Sequence, residues 1–598
     1  VKYISCLLFV MFGALYNVNA QDYLISTPNT SLLLTAKPGE AARIHYYGTR
    51  IEENRIQQIF DSNLAFHSES YPAFGIYSYN DKAMQVTHGD GNMSLDLAVE
   101  SVKQYTVAEA EITEILLKDK VYPFFVKQCY KAYKNSDVIG TWVEVTNQEK
   151  KPVTMYKFAS AFIPVRRGDN WLTHFHGTWG AENMLQEERL TDGQKIIKNE
   201  DGVRNTTNEN PSFMLTLDGK PQEETGHVFG ASLAWSGNYT LKLDVDNNRI
   251  IKIYAGINED ASYYTLDPKK TFVTPEFAMT YSTTGKGGVS RNFHRWARMY
   301  KLSHADSDRD ILLNSWEGVY FKVDQEVMAQ MMKDMSQLGG ELFVMDDGWF
   351  GDKYPRDGGS TSLGDWVVCK KKLPQGIEGL IASAKKCGIK FGLWIEPEMV
   401  NSKSELYEKH PDWIICQDNR TPTTGRGGTQ MILDLSNPKV QDFVFGVVDN
   451  LMTNYPEIAY IKWDANASIM NYGSYYLPKD RQSHLYIEYH KGLNNVLERI
   501  RTKYPHLLMQ ACASGGSRVN YGLLPYFGEF WTSDNTDAYQ RIYMQWGVSN
   551  FYPAIAMASH VSADKNHQTG RRTPLKFRFD VAMSGRLGME MQPKDMTD

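Results

Sequence analysis

Cysteine is scarce, with six in 598 residues. Cys6 sits in the N-terminal apolar stretch, and Cys129, Cys369, Cys387, Cys416 and Cys512 are scattered, with no CxxC pair. That excludes a disulfide framework and a zinc-ribbon site. Blocks of one charge sign are also missing. Lys+Arg is 64 against 70 Asp+Glu, a formal net charge of −6, which argues against nucleic acid and anionic membrane surfaces as partners. Beyond the N-terminus no apolar run is long enough to span a bilayer. The GxxxxGK[ST] phosphate loop is absent, which argues against a nucleotide site.

What is present begins with an export pattern. Lys2 precedes an apolar run at 7–15, and Val18-Asn19-Ala20 offers small residues before a cleavage point. The rival reading is an N-terminal membrane anchor, for which the run is short. The expectation is a signal peptide over 1–20 and a periplasmic or secreted protein.

The length demands more than one core. From 21 to 286 short runs such as TFVTPEFAMTY and YTLKLDVD alternate apolar with polar residues between turn signals like Lys37-Pro38-Gly39, predicting a large antiparallel β-sandwich. Residues 287–310 read as a linker helix, with Phe293, Trp296 and Met299 on one stripe. From 311 to 598 eight apolar runs alternate with helical stretches: ILLNSW, LFVMDD, KFGLWIE, AYIKWD, HLLMQAC, GEFWTSD, YPAIAMAS and GRLGMEM. Strand and helix in alternation predict a parallel (β/α)8 barrel. LDLS at 433–436 is left as a loop strand. Thr597-Asp598 reads as a helix cap, so the barrel is expected to be incomplete and unclosed at its C-terminus.

Acidic residues gather at the ends of these runs. Asp346 and Asp347 close the second, Glu396 and Glu398 the third, Asp464 the fourth and Asp534 the sixth. Barrel strand C-termini form the active face. Lys462 and Asp464 share a strand face, and a cation beside Asp464 keeps it ionised, as a nucleophile requires. The alternative is a structural Lys–Asp pair. Asp534 has apolar and hydroxyl neighbours, and a drier site suits a general acid. Asp537 is its competitor, or caps the helix starting near Ala538. Two carboxyls with opposed environments are what retaining glycosidic cleavage uses, held about 5–5.5 Å apart. Asp346-Asp347 suits adjacent hydroxyls, and no His accompanies them as a metal pair would want. Trp316, Trp349 and Trp394 sit where a flat ring can stack on a sugar, or pack the barrel core. The turn at Cys512-Ala513-Ser514-Gly515-Gly516 brings backbone close to a ligand.

Asn314-Ser315-Trp316-Glu317, Met345-Asp346-Asp347-Gly348-Trp349, Leu393-Trp394-Ile395-Glu396-Pro397-Glu398, Lys462-Trp463-Asp464, Cys512-Ala513-Ser514-Gly515-Gly516 and Trp531-Thr532-Ser533-Asp534-Asn535 resemble the motifs of bacterial α-galactosidases of glycoside hydrolase family 36. The resemblance implies a β-supersandwich, a (β/α)8 barrel and a C-terminal β-domain, the last expected to be truncated here. It implies a retaining exo-α-galactosidase without metal or cofactor, acting on small oligosaccharides. Asp464 falls on the family's nucleophile and Asp534 on its acid/base. Asp346, Asp347, Trp394, Lys462, Cys512, Gly515, Trp316 and Arg426 fall on galactose-contacting positions. At Arg426 the spacing to Gln430 departs from the family's. Many relatives also carry a Gly-Asp whose Asp reaches a galactose from a neighbouring subunit. Phe74-Gly75-Ile76-Tyr77-Ser78 lacks it, so a homo-oligomer stays open.

The alternatives are an α-N-acetylgalactosaminidase or α-galactosyl transferase of the same family, a sugar-binding protein on an inactive barrel, and a phosphosugar enzyme. Cys512 beside the C2 pocket favours a plain hydroxyl over an acetamido group. Retention of Asp464 and Asp534 disfavours an inactive barrel. The thin glycine content after the last two runs disfavours a phosphate site.

Overall fold

The computed structural model describes residues 22–62, 64–76, 81–246 and 250–596. The expected signal segment, the Thr597-Asp598 cap and Tyr77-Ser78-Tyr79-Asn80 lie outside them.

The first half is antiparallel. Its largest sheet has ten strands, and a four-stranded sheet running Ala161–Arg166, Ile250–Ile257, Tyr239–Val245, Gly193–Asn199 is among those accompanying it. One end of the large sheet is a ribbon of four long consecutive strands, Leu97–Val107, Ala110–Asp119, Phe124–Tyr133 and Val138–Asn147, each paired with the next. Along Phe124–Tyr133, Phe124, Val126 and Gln128 are buried while Phe125 and Lys127 are half-buried. This is the period-two burial of a sheet with one face on a core. The run YTLKLDVD forms Tyr239–Val245, and TFVTPEFAMTY forms Thr271–Val273 and Phe277–Ser282.

A helix, Gly285–Trp296, follows. Phe293 and Trp296 are fully buried and pack on Tyr521 of the barrel, with ring centroids 6.0 and 4.9 Å away. Val289 fits against Gly230, where a Cβ would come within 2.3 Å of its Cγ1. The segment therefore wedges between sandwich and barrel. The predicted third member of its stripe, Met299, is 50% exposed. At Ala297–Lys301 the helix widens into a π turn, which rotates later residues off the buried stripe.

Eight parallel strands then close a barrel: Leu312–Asn314, Leu342–Met345, Lys390–Ile395, Ile458–Trp463, Leu508–Ala511, Glu529–Trp531, Met557–Ser562 and Arg586–Glu590. All eight predicted runs supply one. The seventh starts later than its run, because Pro553, without an N–H to donate, leads into a 3-10 turn at Ala554–Ala556. The expectation of an open barrel is corrected, since Leu312 and Leu313 of the first strand pair with Gly588 and Met589 of the last. LDLS forms no barrel strand and contributes only a bridge between Ile414 and Leu433. The helix Gln325–Gln337 shows how the outer ring is held. Asp324 caps it through the N–H groups of Glu326 and Val327, and Met328, Met331, Met332 and Met335 bury one face.

The sandwich is stitched to the barrel's active face. Thr206 Oγ1 donates to Gly516 O (2.9 Å) and accepts from Val519 N (2.8 Å). Asn210 Nδ2 donates to Val519 O (2.9 Å).

Candidate active site

The barrel geometry gathers the acidic strand ends at one mouth. Asp464 follows the fourth strand and is buried. Its Oδ2 accepts from Trp394 Nε1 (3.2 Å), and its Oδ1 accepts from the backbone N–H of Ala465 (2.9 Å) and Ser514 (3.2 Å). Burial pushes its carboxyl up, but the Lys462 and Arg426 charges and hydrogen bonding from the Asn466 side chain and the Ala465 N–H outweigh it. The net direction is below the ordinary carboxylate value.

Lys462 lowers Asp464 as the expected neighbouring charge, and the alternative of a direct Lys–Asp pair is not what forms. Lys462 Nζ crosses to the second strand end and donates to Asp346 Oδ2 (2.8 Å), which also accepts from Asn314 Nδ2 (2.7 Å). Asp347 is held differently. Arg356, fully buried, donates Nε to Oδ1 (2.9 Å) and Nη2 to Oδ2 (2.8 Å). The two adjacent carboxylates are thus each neutralised by their own cation.

Asp534 lies beyond the sixth strand. It receives two indole N–H groups, Trp531 Nε1 on Oδ1 (3.1 Å) and Trp179 Nε1 on Oδ2 (3.1 Å). Burial first, and the Asp464 charge second, raise its carboxyl above the ordinary value. Asp537 is a different kind of residue. It is buried, its Oδ2 accepts from Arg571 Nε (3.0 Å), and its side chain makes no capping bond to the helix Ala538–Ser549. The structure thus separates the two candidates.

The turn at 513–516 joins the two aspartates. Ser514, in the left-handed region at φ 49, gives its N–H to Asp464. Gly515, at φ 88, lies so close to the next loop that a Cβ would come within 2.6 Å of Asp534 N and of Glu182 Oε1. The close approach this glycine permits is thus to protein. Cys512 just before it is buried, and burial pushes its thiol well above the ordinary value.

The tryptophans divide. Trp394 is buried, with Phe350 parallel to it at 6.2 Å, and aims its N–H at Asp464. Trp349, expected as a stacking ring, is fully buried and donates to Trp394 O (3.0 Å), so it is core. Trp316 is half-buried, with edge contacts to Tyr320 and Phe321. Arg426 sits on an exposed loop at φ 46, and its charge acts on Asp464 and Asp534.

Three residues of the site, and the state of one more, escaped the sequence reading. Arg356 lies in a loop and Gln430 opens the short strand Gln430–Ile432, and only the fold reveals their partners. Glu396 was legible as a strand-end carboxylate, but not its state. Its Oε1 accepts from Gln430 Nε2 (2.5 Å) and Asn466 N (2.5 Å), and burial together with the Asp464 charge pushes it up to about 8. Glu398 beside it is structural, paired with Arg518 at 2.6 and 3.0 Å. The third residue, Trp179, comes from the sandwich, 355 positions before Asp534.

Comparison with known proteins places this arrangement. Residues 271–598 match the family described as Melibiase, and residues 40–267 match the glycosyl hydrolase family 36 N-terminal domain. The chain is 36% identical over 547 residues to alpha-galactosidase AgaA of Geobacillus stearothermophilus, covering 89% of this chain and 74% of that one. The crystal structure of the same protein superposes with a TM-score of 0.90 at 32% identity, covering 96% of this chain and 84% of that one. Variants of it carrying an aspartate replacement have been solved with stachyose and with raffinose. An alpha-galactosidase from Lactobacillus brevis gives a TM-score of 0.90 at 31% identity, covering 96% of this chain and 81% of that one.

Proposed function

The chain belongs to glycoside hydrolase family 36 and is a retaining exo-α-galactosidase, and from that premise we propose that Asp464 is its nucleophile and Asp534 its general acid/base. The observation that carries this assignment is the opposed state of the two carboxyls. Asp464 is lowered by cations and hydrogen bonds, and Asp534 is raised by burial. Asp464 attacks the anomeric carbon as a carboxylate. Asp534 protonates the departing glycosidic oxygen, then takes a proton from the water that hydrolyses the galactosyl-enzyme. Glu396, held protonated, spares Asp464 a second negative charge. In the Geobacillus relative, the aspartates replaced in the stachyose and raffinose complexes stand at the same spacing as Asp464 and Asp534 here, which supports the pair.

The proposal extends to galactose recognition by Asp346, Asp347, Trp394, Lys462, Cys512, Gly515, Trp316 and Arg426, with short galactosides of the raffinose type as substrates. Export rests on Lys2, the 7–15 run and Val18-Asn19-Ala20. The test of the pair is chemical rescue. Asp464→Gly with azide should yield the β-galactosyl azide, and Asp534→Gly with azide the α-galactosyl azide. The reverse products, or near-normal turnover in either variant, overturn the assignment.

A further inference from the structure

We propose that Glu182, contributed by the sandwich, is a positioning residue for Asp534. The inference rests on the reading of Asp534 as acid/base.

A single turn of the sandwich grips three successive barrel residues. Ala181 N closes it on Thr178 O (2.9 Å), with Gly180 in the left-handed region at φ 77. Trp179 donates to Asp534, Gly180 O accepts from Asn535 Nδ2 (2.9 Å), and Glu182 Oε2 accepts from Ser533 Oγ (2.5 Å). Ser533 Oγ in turn accepts the N–H of Asn535 (3.1 Å), bridging over Asp534. A hydroxyl has one proton. It can accept from Asn535 in a fixed direction only while its own hydrogen is aimed at Glu182. Glu182 thereby sets the conformation of the loop that presents Asp534.

The surroundings fit that role. Glu182 is fully buried, and its Oε1 has no hydrogen-bond partner among the described residues and lies against Gly515. The charged groups near it are Asp534 and Arg541, with Glu317 and Glu590 beyond Arg541. Arg541 fixes the same loop from the barrel side, donating Nη2 to Ser533 O (2.7 Å) and Nε to Asn535 O (2.7 Å). The main chain on both sides of Asp534 is therefore held by Arg541, and the side chain of Ser533 by Glu182. Burial and the Asp534 charge push Glu182 up to about 7, so it is mostly neutral at acidic pH and about half ionised at pH 7.

The test separates positioning from bulk stability. Glu182→Ala should lower kcat/KM for melibiose, a poor leaving group, at least tenfold. It should change 2,4-dinitrophenyl α-galactoside less than threefold, because that aglycone leaves without a proton. Glu182→Gln, whose amide oxygen still accepts from Ser533, should stay within threefold of wild type on both. Ser533→Ala removes the same hydrogen bond without touching the sandwich and keeps the test open if Glu182→Ala misfolds. It should show the same split, and the double variant should lose no more than the worse single. Equal losses on both substrates, or no loss, overturn the inference. Asp534→Ala is the control. If it lacks the split, the acid/base reading itself fails. If it shows the split while Glu182→Ala and Ser533→Ala do not, only the role of Glu182 fails.

Discussion

The indole N–H of Trp179, at the tip of a sandwich turn, lies 3.1 Å from Asp534 Oδ2 in the barrel. A hydrogen bond to the ionised form favours it, so this contact holds Asp534 lower than burial alone would. Trp179→Phe removes it and lets the pKa of Asp534 rise. As the proposed acid, Asp534 must be protonated to act, so the basic limb of the kcat/KM profile should move to higher pH. A pH–rate series on 4-nitrophenyl α-galactoside from pH 4 to 9 checks this, and a limb that moves to lower pH, or stays put, contradicts it.

Glu396 should leave its mark on stability. Its folded pKa of about 8 stands above the ordinary value of 4.5. Between those limits the unfolded chain releases a proton that the folded protein keeps. The stabilisation from this group is full below pH 4.5 and lost as pH rises toward 8, with a slope of at most about 1.4 kcal/mol per pH unit. Glu396→Gln carries no such proton. Its melting temperature relative to wild type should therefore climb steadily from pH 5 to pH 8. A constant difference across that range would show that Glu396 is ionised in the native state.

Much of this site could be read along the chain because barrel strands are short apolar runs with their functional residues at one end. Asp464 and Asp534 each stand at such an end, and their local neighbours already indicated different states. What could not be read depends on contacts distant in sequence. Alternation placed Lys462 on the face of Asp464, yet its flexible stem reaches Asp346 on another strand. Arg356 has no local sign of its pairing with Asp347. Trp179 and Glu182 approach the active face only because the sandwich folds back on the barrel. Met299 left its stripe because a π turn changed the helical period.

The proposed recognition role of Asp347 is tied to stability. Its bidentate pair with the buried Arg356 means that Asp347→Asn leaves a guanidinium without a matching charge. Breaking one side of a buried pair costs about 3–5 kcal/mol. Asp347→Asn should therefore lower the melting temperature as well as kcat/KM, the latter at least tenfold. Arg356→Met should lower the melting temperature too, because it strands the carboxylate instead. Thermal unfolding of the two variants beside wild type measures this, and an unchanged melting temperature in both would place the pair outside the folded core.

Substrate preference follows from the same carboxylates. Galactose carries its C4 hydroxyl axially, and glucose carries it equatorially. Asp346 and Asp347 are buried and anchored by Lys462 and Arg356, so neither can follow a displaced hydroxyl. A glucoside would leave a buried charged acceptor without its partner, a loss of about 1.5–3 kcal/mol per hydrogen bond. Two such bonds would multiply the effect, so 4-nitrophenyl α-galactoside should exceed the α-glucoside in kcat/KM by at least a hundredfold. The α-N-acetylgalactosaminide should also be turned over poorly, since Cys512 is buried at the end of its strand with Trp531 and Ala558 packed against it, leaving little room for an acetamido group. Comparable rates on galactoside and glucoside would remove Asp346 and Asp347 from the recognition of C4. A higher rate on the acetamido sugar would remove Cys512 from the C2 pocket.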